Sequence, residues 1–355
     1  MKNQSTSIMT PCTPAEFPAV LSFLDRCFKK PSKNWFFGHY AHIFQPTPES
    51  IRNHCLYKED DRLAGIIGVY PFTLRIGSAR LRVAGIGSVA VDPTLRGKGI
   101  MTAMLDDTLE RIRCGAFDLS WLGGDRFRYK NYGWDLGGKQ VLFTISRKNL
   151  DRYFPKIKPA GLAKATIRDI PLLQKLHAGF TTRIERKRAD WTIQISRPNL
   201  CWRIARHNRE NAYCVYFADT PGKITEIRGT GLAVIGLLKK YLLDHNRDTV
   251  TVAYPNTPDR QFRLLWNCAD NFHTEHCSQI QIINQSAAWK KIVPEIARHG
   301  IAVTHLNAVV SSTDQRLILS RALGFCDAMP MFPARLRNFE SIAPLDWWIA
   351  DPDKV

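Results

Sequence analysis

The feature that most narrows the fold is one strand–turn–helix unit in the first half of the chain. Residues 83–134 read VAGIGSVAVDPTLRGKGIMTAMLDDTLERIRCGAFDLSWLGGDRFRYKNYGW. Val83 to Val91 is apolar and β-branched, the composition of a buried strand. Asp92-Pro93 ends it. Arg96-Gly97-Lys98-Gly99 follows, and then Ile100, Met104, Leu105, Leu109 and Ile112 recur at helical spacing. A strand therefore delivers a glycine-rich, basic turn onto the N-terminus of a helix. This points to the α/β class with a mixed sheet.

The first turn of a helix leaves backbone N–H groups without intrahelical partners, at the positive end of the dipole. Gly97 and Gly99 let the backbone approach a ligand closely, and Arg96 and Lys98 add positive charge. Such a turn suits a pyrophosphate. Two familiar phosphate turns are excluded. A Walker loop requires G-x-x-x-x-G-K-[ST] and a dinucleotide turn G-x-G-x-x-G, whereas here the glycines stop after Gly97-x-Gly99. A tight turn without a ligand uses the same residues, so the rest of the chain must decide.

At 355 residues, two or three domains are expected. With 45% hydrophobic and 10% aromatic residues the chain is globular rather than disordered. It has no apolar run of about 18 residues and no secretory signal at its start, so a cytoplasmic protein with no membrane span is expected. The cysteine count of nine is odd and C-x-x-C is absent, which argues against a disulfide framework or a metal knot; no metal ligands are assigned. The net charge of +18 exceeds what one small phosphate ligand requires. It raises the question of nucleic acid. The dense cluster Arg183, Arg186, Lys187 and Arg188 reads as a solvated helix face, however, and no nucleic-acid motif accompanies it.

In chain order, Thr13-Pro14-Ala15-Glu16 is a capping box, and Phe17, Val20, Leu21, Leu24 and Phe28 line one side of the helix it opens. An aromatic segment with Trp35, Phe36, Phe37, Tyr40 and Phe44 leads into two hairpins, one across Lys58–Arg62 and one turning at Gly77-Ser78. After the basic turn and its helix come a strand at 118–122, a loop opened by Gly123-Gly124, a brief helix from Phe127 to Tyr132 and a strand from Val141 to Ile145. Leu150 to Pro159 reads as a linker. The order then begins again, with strands at 165–170, 213–217, 223–227, 250–253 and 279–283 among helices at 171–177, 232–243 and 262–266. The expected division is 1–150, a divergent copy at 160–285, and a C-terminal region at 286–355 that packs on both. That region carries helices at 289–298 and 316–323 and a strand at 303–310. In the second copy, Arg228-Gly229-Thr230-Gly231-Leu232-Ala233 is a look-alike turn. It lacks the Val-Asp-Pro approach, and Glu226 stands where an anion would be repelled, so it reads as structural.

Three segments in order carry a resemblance. Val89-Ala90-Val91-Asp92-Pro93 is similar to the fourth strand of the GCN5-related N-acetyltransferases (GNAT). Arg96 to Met101 is similar to their R/Q-x-x-G-x-G/A turn, with Met at the last position. Tyr129-Lys130-Asn131-Tyr132-Gly133-Trp134 resembles their Y-x-x-F/Y-G-F/W segment. The resemblance implies two tandem GNAT-like domains, the second degenerate, and an acetyl-CoA-dependent N-acetyltransferase. It implies that the backbone of Val89, Ala90 and Val91 meets the pantetheine arm and thioester, and that Arg96, Gly97, Lys98, Gly99, Ile100, Met101 and Thr102 cradle the pyrophosphate. Gly124 and Asp125 join the cofactor site, and the aromatic segment helps line the acceptor pocket. Tyr129 becomes the general acid. A phenol suits that task because it stays protonated at neutral pH. In the second copy the matching position is Ala269, with Asn271-Phe272 matching Asn131-Tyr132.

The base is less determined. The strand AGIGSVAV holds no carboxylate, and Ser88 is able only to orient a water. Asp125 is one candidate. The tandem copies, Met101 and Tyr129 together resemble the Eis-like branch of the family, and that likeness supplies another, the C-terminal carboxylate at Val355. The branch further implies a sterol-carrier-like third domain, here reduced, and a homo-oligomer. The acceptor is an amine on a small molecule or peptide. The competing reading is a non-catalytic acyl-CoA-binding or nucleic-acid-associated protein that kept the phosphate turn. Tyr129 separates the two, because a binding module has no use for a phenol there.

Overall fold

A computed structural model of the chain describes residues 8–29, 35–207, 210–298, 311–325, 345 and 347–355. The first half runs β1 (Thr10–Pro11), α1 (Phe17–Cys27), α2 (Trp35–His39), α3 (Pro48–Arg52), β2 (His54–Glu59), β3 (Arg62–Ile76), β4 (Ala79–Val91), α4 (Ile100–Cys114), β5 (Leu119–Leu122), α5 (Arg126–Lys130), β6 (Asp135–Gly137) and β7 (Gln140–Ser146). The second runs α6 (Arg147–Tyr153), β8 (Leu162–Lys164), α7 (Ile170–His177), β9 (Thr182–Ile184), α8 (Arg188–Ser196), β10 (Leu200–His207), β11 (Glu210–Phe217), β12 (Lys223–Ile224), β13 (Glu226–Gly229), α9 (Ala233–Asp244), β14 (Thr249–Pro255), α10 (Arg260–Cys268), β15 (Ala269–Glu275) and β16 (Ser278–Ile282). Helices α11 (Gln285–Arg298) and α12 (Ser312–Ala322) follow. No described helix is long and apolar enough to cross a membrane.

Local chemistry explains the boundaries. The amide and hydroxyl of Thr13 both donate to the Glu16 carboxylate ahead of α1 (2.9 and 2.6 Å). The β2–β3 hairpin turns at Asp60 and Asp61, both left-handed (φ 48° and 60°), a conformation that short polar side chains tolerate. Part of the expected linker is helical, because Ser146 caps α6 by accepting from Asn149 N (3.1 Å) and Leu150 is buried. The strand expected at 165–170 is a 3₁₀ turn instead. Asp169 reaches back to the amide and hydroxyl of Thr166 (2.8 and 2.9 Å), which bends the chain into a cap for α7. The strand expected at 303–310 lies outside the described residues.

The sheets show a repeated plan. Residues 83–86 of β4 pair in parallel with 119–122 of β5, across helix α4. In the second half β12 pairs in parallel with β14, across helix α9. All other ladders are antiparallel. The architecture is therefore mixed α/β, with two tandem copies of one plan. The copies exchange strands. β16 enters the eight-stranded sheet between β5 and β6, while β7 lies between β14 and β15. A single core cluster runs from Trp121 and Phe143 through Leu238 and Tyr241 to Trp347 and Trp348.

Inside the smaller cluster under α1, His54 is fully buried. Its ring stacks on Phe44 (4.8 Å) and meets Tyr70 edge-on (5.5 Å). Nδ1 donates to the carbonyls of Ser50 and Ile51. Burial pushes the imidazole down from 6.5 to about 4, so the folded protein resists a proton that the unfolded chain accepts. This contribution is present above pH ~6.5 and is lost as pH falls from there to about 4. His42, also pushed down by burial, to about 3, adds to the same window. The midpoint of thermal unfolding should fall across that window, with a shallower slope in His54→Phe. An unchanged slope would place the titrating group elsewhere.

Candidate active site

The pairing of β4 with β5 stops after Ile86 and Leu122. β4 runs on to Val91 against β3, whereas β5 gives way to the loop at Gly123-Gly124. The β3–β4 register shifts between Ile66 and Gly68. Opposite that shift Ser88 is left-handed (φ 54°), and its hydroxyl hydrogen-bonds the buried Tyr70 hydroxyl at 2.9 Å. This is a β-bulge, which bends the strand and leaves Gly87 to Val91 without a partner on the β5 side among the described pairings. A cavity of about 690 Å³ fills the gap, with Ile86 to Val89 on one side and Gly123, Gly124, Asp125, Arg128 and Tyr129 on the other.

One face of the opened sheet carries Tyr129. It packs in the cluster of Ile86 and Leu122, its ring edge-on to Trp134 at 6.4 Å. Burial pushes its phenol pKa up. Asp125 caps α5 by accepting from Phe127 N (2.9 Å) and Arg128 N (3.2 Å), so one of its oxygens is committed to holding that short helix. Two residues absent from the sequence-based expectation brace this loop from the inserted strand β16. Gln279 donates to Gly124 O at 2.9 Å and Gln281 to Tyr132 O at 3.1 Å.

The other face carries Val355. Side chains alternate along a strand, so Gly85 and Gly87 face away from Ile86. A Cβ at Gly85 would come within 3.0 Å of the Val355 side chain, and one at Gly87 within 2.9 Å of the Val355 carboxyl carbon. The two glycines form a slot for the residue seated there. Phe28, Phe36, Tyr40 and Ile43 form the wall around it. Of the aromatic segment, Phe36 and Tyr40 thus reach the cavity, whereas Phe44 belongs to the core and Phe37 is exposed. The pattern G-x-G inside an otherwise apolar strand was the available signal for a close approach.

The basic turn lies beyond the open edge of β4. Val89 and Val91 pack toward α4, and Ala90 toward α1. Gly97 and Gly99 are left-handed (φ 82° and 78°), with nothing within 4 Å of where a Cβ would stand. Arg96, Gly97, Lys98, Gly99 and Thr102 are exposed, whereas Ile100 is buried and Met101 half-buried in the core beneath. Thr102 meets the Tyr132 hydroxyl at 2.8 Å, which ties the first turn of α4 to the Tyr129 loop. In the second copy the matching site is filled from within. Leu232 N donates to the Glu210 carboxylate (2.8 Å), which overlaps the space above Gly231. Arg228 is spent on Asp259 and Gly179 O. Glu226, expected to repel an anion there, points instead into a buried cluster with Arg186. Ala269, matched to Tyr129 by sequence, opens the strand β15, so that match has no counterpart in local structure.

Residues 9–137 match the family model of the acetyltransferase (GNAT) domain. This segment is a GNAT domain. No curated protein matches the chain in sequence. Solved structures share its fold. A GCN5-related N-acetyltransferase from Kribbella flavida superposes with a TM-score of 0.60 at 16% identity, over 80% of this chain and 73% of that one. A conserved protein of unknown function from Enterococcus faecalis, a probable N-acyltransferase, gives 0.61 at 15% identity over 81% and 75%. Eis1 from Mycobacterium abscessus gives 0.55 at 14% identity over 79% and 75%. The chain accordingly carries an acetyltransferase (GNAT) domain, and its overall fold is shared with these structures. GNAT domains take acyl-CoA, and the open β4 edge, the clear space over Gly97 and Gly99 and the cavity through the sheet fit such a ligand. Among the described residues no group of three His, Cys, Asp or Glu side chains is placed to hold a metal.

The turn makes a specific demand on residue 99. Gly99→Ala should cost only the left-handed backbone strain, about 1 kcal/mol, because its Cβ meets nothing. Gly99→Asp should weaken acetyl-CoA binding by roughly tenfold more than Gly99→Ala, through repulsion at the helix N-terminus. Equal affinities in calorimetry would move the phosphates away from this turn.

Proposed function

We propose that this GNAT chain is a cytoplasmic, acetyl-CoA-dependent N-acetyltransferase acting on a primary amine of a small molecule or peptide by direct attack. One observation carries the reading: Tyr129 and Val355 line the same cavity, from opposite faces of the opened sheet. Acetyl-CoA supplies the activated thioester. The chain's residues bind, orient and move protons around it. The backbone of Val89, Ala90 and Val91 offers an edge for the pantetheine arm, and Arg96 to Thr102 hold the pyrophosphate at the helix N-terminus. Gly124 and Asp125 border the same site.

Tyr129 Oη donates a proton to the leaving sulfur. Its raised pKa keeps it protonated at neutral pH, so the proton is available when the thiolate forms. The carboxylate at Val355 takes the proton of the attacking amine. Such a group is ionised at neutral pH, and its seat against Gly85 and Gly87 supports a reading in which the acceptor enters from that face of the strand. Asp125 is less suited to that role, since its Oδ1 caps α5. Ser88, fixed by Tyr70, is positioned to orient a water. The likeness to the Eis-like branch extends the proposal to a homo-oligomer.

Tyr129→Phe should lower kcat on the order of 100-fold while acetyl-CoA affinity stays within about twofold. The measurement is thiol release across amines, polyamines and Lys peptides, paired with calorimetry. Parallel loss of turnover and binding would remove Tyr129 from the chemistry.

A further inference from the structure

The segment that ends in the active cavity is held by a charged cluster deep in the second half. The Arg186 side chain is buried just ahead of α8, against the rings of Trp191 (4.9 Å) and Trp202 (5.6 Å). Its Nε donates to Asp353 Oδ1 at 2.8 Å and Nη2 to Asp353 Oδ2 at 2.6 Å, a two-pronged pair. Nη1 donates to Glu226 at 3.0 Å, and the Tyr213 hydroxyl donates to the same carboxylate. Arg197 Nη1 and Gln194 Nε2 both donate to Pro352 O at 2.8 Å. Closer to the cavity, His42 meets Lys354 O at 3.0 Å; a carbonyl only accepts, so Nε2 carries the proton. Besides the local turn in which Asp353 N and Lys354 N donate to Ala350 O and Asp351 O, residues 352–354 are thus held by side chains distant in sequence. Neither Arg186 nor Asp353 lines the cavity.

We propose that Arg186 is a positioning residue for the acetyl-transfer centre: through Asp353 it fixes residues 352–355 in the slot of Gly85 and Gly87 and so sets where Val355 stands. This rests on the reading above, in which the amine meets the thioester beside Val355. The solvated helix face suggested by the basic run 183–188 is therefore divided. Arg183, Arg186 and Lys187 all border a separate surface pocket, but the guanidinium of Arg186 turns inward to hold the tail.

The test uses the full chain in three forms. Asp353→Asn keeps the side-chain shape and leaves the Arg186–Glu226 pair intact. Gly87→Ala presses on the tail from the slot side, and covers the case in which Asp353→Asn does not fold. The third form carries one extra glycine after Val355, which moves the carboxylate and leaves the clamp. Acetyl-CoA binding, thiol release from acetyl-CoA with water alone and with n-butylamine, and amide exchange at Asp353 and Lys354 are measured. Asp353→Asn and Gly87→Ala should each lower kcat by on the order of 100-fold, the loss expected from misplacing a reacting group, with KM for acetyl-CoA unchanged. Asp353→Asn should also lose exchange protection at the two amides. Wild-type kcat and protection in Asp353→Asn would overturn the inference, as would kcat and KM moving together. If the extended chain is slow and Asp353→Asn normal, the clamp falls and the base reading stands. If the extended chain is normal and Asp353→Asn slow, the clamp stands and Val355 is a wall of the site rather than its base.

Discussion

The rest of the structure depends on a pairing that is cut short. Parallel strands β4 and β5 share only four register pairs before they part. An unpaired strand edge inside a protein is costly unless something satisfies its amides and carbonyls. Here the edge from Gly87 to Val91 is kept open by the bulge at Ser88 and by the glycines that end β5. It faces a cavity rather than another strand. The opening makes a hole through the sheet, with Tyr129 on one face and the seated tail on the other. Close the gap by two residues and Tyr129 and Val355 no longer share a space.

The second half of the chain supports that opening although its own glycine turn is filled. β16 enters the sheet beside β5, and its glutamines hold the Tyr129 loop by two backbone carbonyls. On the opposite face the Arg186 cluster holds the tail. Burying four charged side chains is expensive in itself, and removing one partner of such a group leaves an uncompensated charge at a cost of several kcal/mol. A cluster of this kind therefore contributes little net stability, but it allows only one position for the segment it holds. Both halves of the proposed chemistry depend in this way on residues far from it in sequence.

Local order was legible in the sequence and long-range placement was not. The strand–turn–helix over 83–114, the hairpin turns at Asp60-Asp61 and Gly77-Ser78, and the short helix carrying Tyr129 follow from periodicity and turn chemistry, which act over a few residues. The exchange of β7 and β16 between sheets leaves no such trace, since a buried strand reads the same whichever neighbour it joins. Arg186 shows the same limit. In sequence it belongs to a basic run, and nothing local says that it alone faces inward to two carboxylates, one of them Asp353. The strand at 165–170 failed for a different reason. The Thr166–Asp169 hydrogen bonds outweighed a run of β-prone residues.

The two glycine turns show what separates a ligand site from a fold element. Both follow a strand that changes partners, and both open a helix. The backbone geometry is shared only in part: Gly99 and Gly231 are each left-handed, but Gly97 is left-handed and its counterpart Gly229 is not. The difference lies in what occupies the space beyond. Over Gly99 nothing stands within 4 Å of a Cβ position, whereas at Gly231 the Glu210 carboxylate already accepts from Leu232 N. A helix N-terminus attracts one anion, and in the second copy the protein provides its own. A motif match there identifies a fold element, and the Glu210 carboxylate occupies the place an anion would take. The same reasoning applies in reverse to Gly85 and Gly87, where missing side chains in a core strand leave room for Val355, a residue that no local pattern in the sequence connects to them.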